Sequence, residues 1–445
     1  MRVYLRTAVL LLGFATVLQA DPLDLEYAPS PLDNPLRGMV PYLSAAEVDR
    51  FPHSMRFGYL SMAELVPAEG EYNWQPLDSV LEKCQSVGCQ LILRVYLEYP
   101  GRSSGVPAWL RDKGVTVTEW TGEEGTVNHT PDYEHPALRT ALTEFITAMG
   151  ERYDRDPRLG FITAGLLGRW GEWHNYPREE LFASVAVQRE VLEAFELSFS
   201  DTPVLLRYPA GEDNPDKATT FDRSFGYHDD SFGWATLPTG RPEDAWHFLN
   251  LMEKAEALDT WKTHPIGGEL RPELWKKAFT GEPHPKDQGF VLCVEATHAS
   301  WLMDSSLFDP RFPLSPERKA IALKQVGRLG YEFHIAKVEW EGSRIRFHVE
   351  NRGVAPFYRD WAVVTKGVDT EGGDVSTIEK KGLLPGILPG GKAIWAFEMG
   401  KPISEFEKIL IGVPNPMEGG KSLRFGNREY EGEWIEFPIS NTPDN

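Results

Sequence analysis

Acidic, basic and aromatic side chains gather in this sequence at the ends of short apolar runs. Glu64 follows one such run, Arg94 and Glu98 close the next, and Gly168-Arg-Trp-Gly-Glu-Trp-His174 follows a third. Further on come Arg207 and Tyr208, then Tyr227-His-Asp-Asp230, then Gly267-Gly-Glu269, and finally His298 and Trp301. The chemistry this set suits is cleavage of a glycosidic bond. That reaction needs two carboxyl groups flanking one bond. One gives a proton to the leaving oxygen, and the other attacks the anomeric carbon or activates water. Indole and phenol faces stack on the apolar C–H faces of sugars, and 14 Trp and 15 Tyr supply them. Glu172 and Glu269 are the candidate catalytic pair. Arg94, Glu64, Glu98, Trp173, His174, Arg207, Tyr208, His228, Asp229, Asp230, His298 and Trp301 are the candidates for holding substrate.

Plainer roles compete with these. Glu172 suits a structural pair with Arg169 or Arg94, and Glu269 suits a cap on the helix begun at Arg271-Pro272. Glu64 and Glu98 form a rival carboxyl pair. His174, His228, Asp229 and His298 would suit a metal-dependent hydrolase, but neither HExxH nor CxxC occurs, so no metal or other cofactor is expected. A barrel that binds glycan without cleaving it is the remaining alternative.

The elements that must position these groups alternate from residue 38 to about 330. Eight short strands are expected at Met39–Leu43, Arg56–Met62, Gln90–Leu97, Gly160–Leu167, Pro203–Tyr208, Ser224–His228, Pro265–Glu269 and Phe290–Ala296. Amphipathic helices fall between them. Leu77, Val80, Leu81, Cys84 and Val87 keep a helical period, as do Leu138, Leu142, Phe145, Ile146 and Met149. Glu179–Phe195, Pro242–Leu258 and Pro316–Leu329 are further helix candidates. Alternation of eight strands with helices predicts a (β/α)8 barrel over residues 21–330. Residues 100–136 interrupt the pattern after the third strand, on the face where such barrels build their sites, and read as a wall of the substrate cleft. Past Gly330 the helical period vanishes. Short strands at Phe333–Trp340, Ser343–Glu350, Asp360–Lys366, Ile394–Glu398 and Ile409–Val413 predict an Ig-like β-sandwich over 331–445.

The first twenty residues read as a leader. Arg2 and Arg6 precede the apolar run Ala8–Leu18, and small Ala20 precedes Asp21, so cleavage after Ala20 and export to the periplasm or medium are expected. The chain carries a net charge of −20, and loss of the two leader arginines makes it −22. Such a surface repels nucleic acid and anionic membrane, and carbohydrate is the expected partner. Three cysteines make no disulfide framework. Cys84 and Cys89 are close enough to pair locally or to lie as buried thiols, and Cys293 sits in an apolar run. Asn128-His129-Thr130 is a glycosylation sequon that only a eukaryotic secretory route would use.

Ser61-Met-Ala-Glu-Leu-Val-Pro-Ala-Glu-Gly-Glu-Tyr-Asn-Trp74, then Leu77-Asp78, then Pro107-Ala-Trp-Leu110, resemble segments after the second and third strands of clan A glycoside hydrolases, especially the family that includes bacterial β-galactosidases. Asn34-Pro-Leu-Arg-Gly38 and Gly171-Glu-Trp-His174 are similar to segments of a group of secreted bacterial proteins of unknown function. The clan resemblance implies an acid/base glutamate after strand four, here Glu172, and a nucleophile at the end of strand seven, here Glu269. It implies a retaining pair roughly 5–5.5 Å apart. The clan has Asn before the acid/base glutamate, where this chain has Gly171.

Overall fold

A computed structural model describes residues 22–122, 125–212, 214–369, 372–428 and 430–439. The leader lies outside the described residues. Eight parallel strands form the central sheet: β1 Gly38–Val40, β2 Met55–Ser61, β3 Gln90–Tyr96, β4 Leu159–Thr163, β5 Val204–Leu206, β6 Gly226–Phe232, β7 Ile266–Leu270 and β8 Trp301–Met303. Each pairs with its neighbour in chain order, and β8 pairs with β1. Between β1 and β2 the backbone of Phe57 bonds Pro41 and Leu43, closing the barrel.

Seven of the eight strands fall where apolar runs and turn residues place them. The eighth does not. Phe290–Thr297 is a helix, and β8 begins only at Trp301. The run Phe-Val-Leu-Cys-Val-Glu-Ala-Thr buries Cys293, Val294 and Thr297 while Leu292 is 63% exposed, which is a helical period and not an alternating one. Gly289 and His298, both at positive φ, close its two ends. This shift of one element moves His298 to the start of β8, at the opposite end of the barrel from the strand C-termini.

Helices cover the sheet. Gln75–Gln85 (α1), Pro136–Tyr153 (α2), Val185–Ser198 (α3), Phe248–Lys254 (α4), Phe290–Thr297 (α5) and Pro316–Val326 (α6) are the longest. Ser184 and Ser315 cap α3 and α6 through their hydroxyls, each such cap contributing about 1 kcal/mol. α2 buries Leu138, Leu142, Phe145, Ile146 and Met149, the residues that set its period. All three cysteines are buried free thiols. Among the described residues no helix is long and apolar enough to cross a membrane.

Antiparallel strands follow. Phe333–Glu341 (β9), Arg344–Asn351 (β10) and Lys392–Glu398 (β13) form one sheet. Val363–Val368 (β11), Asp374–Lys380 (β12), Lys408–Gly412 (β14), Tyr430–Glu431 (β15) and Trp434–Pro438 (β16) form the other. Three of these, β12, β15 and β16, escape sequence reading. β12 is mostly exposed, so it lacks an apolar face to reveal it, and β16 follows a stretch of turns. The segment Leu23–Asp24 adds an edge to the first sheet by pairing with β9. The sandwich thus holds residues from both ends of the chain. Its core runs on into the barrel's: Phe57, Ile92, Phe161 and Trp301 share one apolar cluster with Tyr331, Phe333, Trp395 and Phe425. Arg359 locks the joint, donating to the carbonyls of Leu159 and Gly160, both at 2.9 Å. The sandwich thus packs against the end of the barrel where the strands begin, opposite the strand C-termini.

Candidate active site

Strand alternation decides which side chains point inward. Phe57, Ile92, Phe161 and Trp301 fill the lower interior. Trp301 is fully buried and reaches across to His228, ring centroids 5.6 Å apart. A Cβ at Gly267 would lie 2.3 Å from that indole. Gly267 therefore makes room for Trp301 and not for a ligand. Both nitrogens of His228 lack a partner, and burial, then Arg94, hold its pKa well below the usual value. His228 and Trp301 form the packed layer beneath the mouth.

One layer higher the interior becomes polar. Tyr59 on β2 is in register with Arg94 on β3. The Arg94 guanidinium donates to Thr163 Oγ1 at 2.9 Å, to the Tyr59 hydroxyl at 3.2 Å and to Glu172 Oε1 at 2.9 Å. Arg94 is 1% exposed and Glu172 8%. His174 Nε2 stands 3.7 Å from the other Glu172 oxygen. Burial alone would raise the Glu172 carboxyl. The His174 side chain, then Arg94 and Arg207, outweigh it and hold the carboxyl below the ordinary range.

Glu269 enters from the end of β7. Tyr42, just past β1, donates its hydroxyl to Glu269 Oε1 at 3.0 Å. No cation forms an ion pair with Glu269 among the described contacts, and burial, reinforced by the Glu172 charge, pushes it up to about 8. The two carboxyl groups therefore respond to each other, and their surroundings drive them in opposite directions.

The segment carrying Glu172 is strained. Leu166, Trp170 and Trp173 all have positive φ, which non-glycine residues rarely adopt. Gly171 shares the conformation at φ +69°, and a Cβ there would stand 3.0 Å from Gly165 Cα. Glu98 holds this turn from below. It is fully buried and accepts from Tyr133 at 2.6 Å, from Asn175 at 3.2 Å and from Thr130. Tyr133 in turn accepts from the Gly168 amide at 2.8 Å. Thr130 belongs to a hairpin, Val117–Thr121 and Val127–Pro131, within the excursion after β3. Arg169 donates to Asn128 Oδ1 at 3.0 Å, so the sequon asparagine is buried inside the fold. Burial pushes Glu98 up to about 7 against those bonds.

The remaining candidates divide. Arg207 and Asp230 form an ion pair on the inner face, at the ends of β5 and β6. Tyr208 lies partly exposed, with the Arg207 guanidinium 4.1 Å from its ring. Asp229, next to Asp230, turns the other way. It accepts from Thr236 at 2.6 Å and the Ser231 amide at 3.0 Å, behind the sheet. Trp173 is buried with its Nε1 on the Ala164 carbonyl at 2.8 Å, so its face is not open to a sugar. Glu64 is exposed and completes a capping box with Ser61, accepting from that residue's amide at 2.9 Å. His298 stacks on Trp261 at 3.6 Å and bonds the Val354 carbonyl at 2.6 Å. The structure thus gathers Arg94, Glu172, His174, Arg207, Asp230 and Glu269 in the mouth. It sends Glu98, Trp173, His228 and Trp301 into packing, and Glu64, Asp229 and His298 elsewhere. Among the described residues no cluster of three or more His, Cys, Asp or Glu could hold a metal ion. Tyr42 and Tyr59 are the participants sequence reading missed. Both were legible as polar residues two past an inward apolar one, Val40 and Phe57.

Fold and site together define a (β/α)8 barrel with a carboxyl pair on the strand-four turn and the strand-seven end. Over residues 51–163 the chain matches the family model described as β-galactosidase. No curated protein matches it. Among solved structures it is similar to endo-glycoceramidase II from Rhodococcus sp., with 14% identity over 83% of this chain and 99% of that one, TM-score 0.40. A GH5_18 protein from Bifidobacterium longum in complex with Manb1-4GlcNAc gives 13% identity over 62% and 68%, TM-score 0.38. A β-galactosidase from Marinomonas ef1 gives 12% over 63% and 56%, TM-score 0.35. At these values the likeness carries no argument of its own, and the barrel stands on its strand order.

Proposed function

We propose that this protein is a retaining glycoside hydrolase acting on a poly- or oligosaccharide, with Glu172 and Glu269 as its two carboxyl groups. The observation that carries the reading is the pair itself. Two buried carboxyl groups meet in one barrel mouth, one held charged and one held neutral, which is the division of labour that double displacement needs. Arg207 and Asp230 lie beside them, with Tyr208 next to Arg207 as a partly exposed ring for a sugar. The β-galactosidase match over residues 51–163 makes β-galactosides the first substrates to try. We also propose that the protein works outside the cytoplasm, on the strength of its leader-like first twenty residues. An exported product whose N-terminus is Asp21 supports that, and retention with Met1 in place refutes it.

The test of the activity is a panel of polysaccharides and aryl glycosides against wild type, Glu172→Gln and Glu269→Gln. Turnover should fall at least a hundredfold in each variant. Equal activity in all three proteins rules out the pair. Glycan binding with no product from wild type would assign the barrel to binding alone.

A further inference from the structure

We propose that the substrate is an anionic glycan, and that the side of the mouth from β5 to β7 holds its acidic groups. The inference rests on the hydrolase reading above and names the class of sugar. Two aromatic rings on this side each carry two cations. Tyr208, just past β5, has the Arg207 guanidinium 4.1 Å and the Lys217 ammonium 5.1 Å from its ring centre. Trp234, just past β6, has Arg271 at 5.9 Å and Lys286 at 4.7 Å. Both rings are partly exposed. The negative face of a ring attracts a cation, so each pair is held at the mouth rather than left to swing in solvent.

The two pairs are joined. Arg271 donates to Ser231 Oγ at 3.1 Å, and Ser231 donates to Asp230 Oδ1 at 3.4 Å. Arg207 Nε donates to the other Asp230 oxygen. Lys217 donates to the Trp173 carbonyl at 2.7 Å, one residue along the chain from Glu172. The cations thus run from the strand-four turn to the loop after β7, beside the carboxyl pair.

The carboxylates of this side do not use up the charge. Asp230 pairs with Arg207, and Glu273 grips Arg271 at 2.7 and 2.9 Å. Neither Lys217 nor Lys286 has a carboxylate within ion-pair distance among the described residues. If the cations served only to balance Asp230 and Glu273, the two arginines would suffice. The whole chain has 66 acidic and 46 basic residues, so a surplus of cations here runs against its composition. A neutral sugar has no use for that surplus. A carboxylate or sulfate ester does: a concave cationic site draws it in, and guanidinium and ammonium groups give it charge-assisted hydrogen bonds.

The test is calorimetric binding of glycan pairs that differ in charge to the full chain. Oligosaccharides of alginate and polygalacturonate are set against their carboxyl-reduced forms, and those of a sulfated galactan against the desulfated form. An acidic member should bind about tenfold tighter than its neutral counterpart, and the advantage should shrink at about 0.5 M salt. Tighter binding in the uronate pairs identifies a carboxylate as the recognised group, and tighter binding in the galactan pair identifies a sulfate. Replacing both lysines, Lys217→Gln with Lys286→Gln, should remove most of the advantage and leave the affinity for the neutral form unchanged. Lys286→Gln alone, at an exposed position, should remove part of it without burdening the fold. The proposal is overturned if no acidic member binds, if neutral forms bind as tightly, or if the lysine variants weaken both forms alike. An acidic glycan that binds but is never cleaved refutes the hydrolase reading and leaves this one standing. Cleavage of neutral glycans alone does the opposite.

Discussion

Replacing Glu269 by Gln should make the protein more stable, and increasingly so as pH rises. The neutral acid and the amide are nearly the same shape, and the amide oxygen still accepts from Tyr42. Near pH 5 the two proteins should therefore differ little. In the unfolded chain the carboxyl ionises near its ordinary value of 4.5, whereas in the fold it holds its proton to about 8. Between those values unfolding releases a proton. Its folded pKa is raised, so the stability this group contributes is complete below 4.5 and is lost as pH climbs through about 8. Each pH unit in that window costs about 1.4 kcal/mol. From pH 5 to pH 8 the ideal loss is about 3.5 kcal/mol, and relaxation with water entering the mouth reduces it to roughly 2–3 kcal/mol. Glu269→Gln escapes that loss. Urea unfolding of both proteins at pH 5, 6, 7 and 8 measures the gap directly. A gap that stays constant within about 0.5 kcal/mol across the series, or one that favours wild type at pH 8, would refute the reasoning.

Three other substitutions probe the same site. Arg94→Met leaves Glu172 buried without its cation and should cost about 3–5 kcal/mol at pH 7. Because the Glu172 carboxyl is depressed in the fold, that cost should shrink as pH falls through the ordinary carboxylate range. Urea titration at pH 7 and pH 4 reads both values, and an equal loss at the two pH values counts against the ion pair. Glu98→Gln keeps the shape but adds a donor where Tyr133 and Thr130 already donate, and Glu98→Ala empties the network. Both should speed amide exchange across Val117–Pro131 and the 164–175 turn, the second more strongly, and unchanged exchange there would show that Glu98 does not hold the turn. Gly171→Asn installs the residue that clan A enzymes carry, yet it should lower stability by about 1–2 kcal/mol and any glycosidase activity with it. Thermal unfolding and turnover of the same preparation check this, and a gain in either result contradicts the geometry.

Much of the barrel was legible because its strands are short apolar runs punctuated by turns, and its larger helices keep a clean period. The eighth strand was not. β8 spans only Trp301–Met303, too short to stand out, while the eight apolar residues just before it mimic a strand. The same limit governed the site. Residue type and position in the chain pointed to Glu172 and Glu269, and to Arg94, Arg207 and Asp230. They could not say which way each side chain faces once a strand ends. Asp229 and Asp230 differ by one position and point to opposite faces of the sheet, with a bulge near Gly268 altering the register beside them. Glu98 looked like a mouth residue because it lies just past β3. Only the hairpin folding over it, in an excursion without apolar periodicity, makes it a buried anchor.

Gly171 draws these points together. From sequence, it stands where the clan has an asparagine. In the fold, three successive features explain a glycine there. The turn from β4 reverses through residues at positive φ, Gly171 lies against Gly165 at the crossing, and Glu172 emerges aimed at Arg94. An asparagine at that point would have to adopt a left-handed backbone and displace the Gly165 strand extension. The absence of the asparagine and the grip of Arg94 on Glu172 are thus one structural fact. The turn that excludes the side chain is the turn that delivers the carboxylate to the guanidinium. The departure from the clan's pattern at Gly171 is thus one the backbone conformation and the close approach to Gly165 account for.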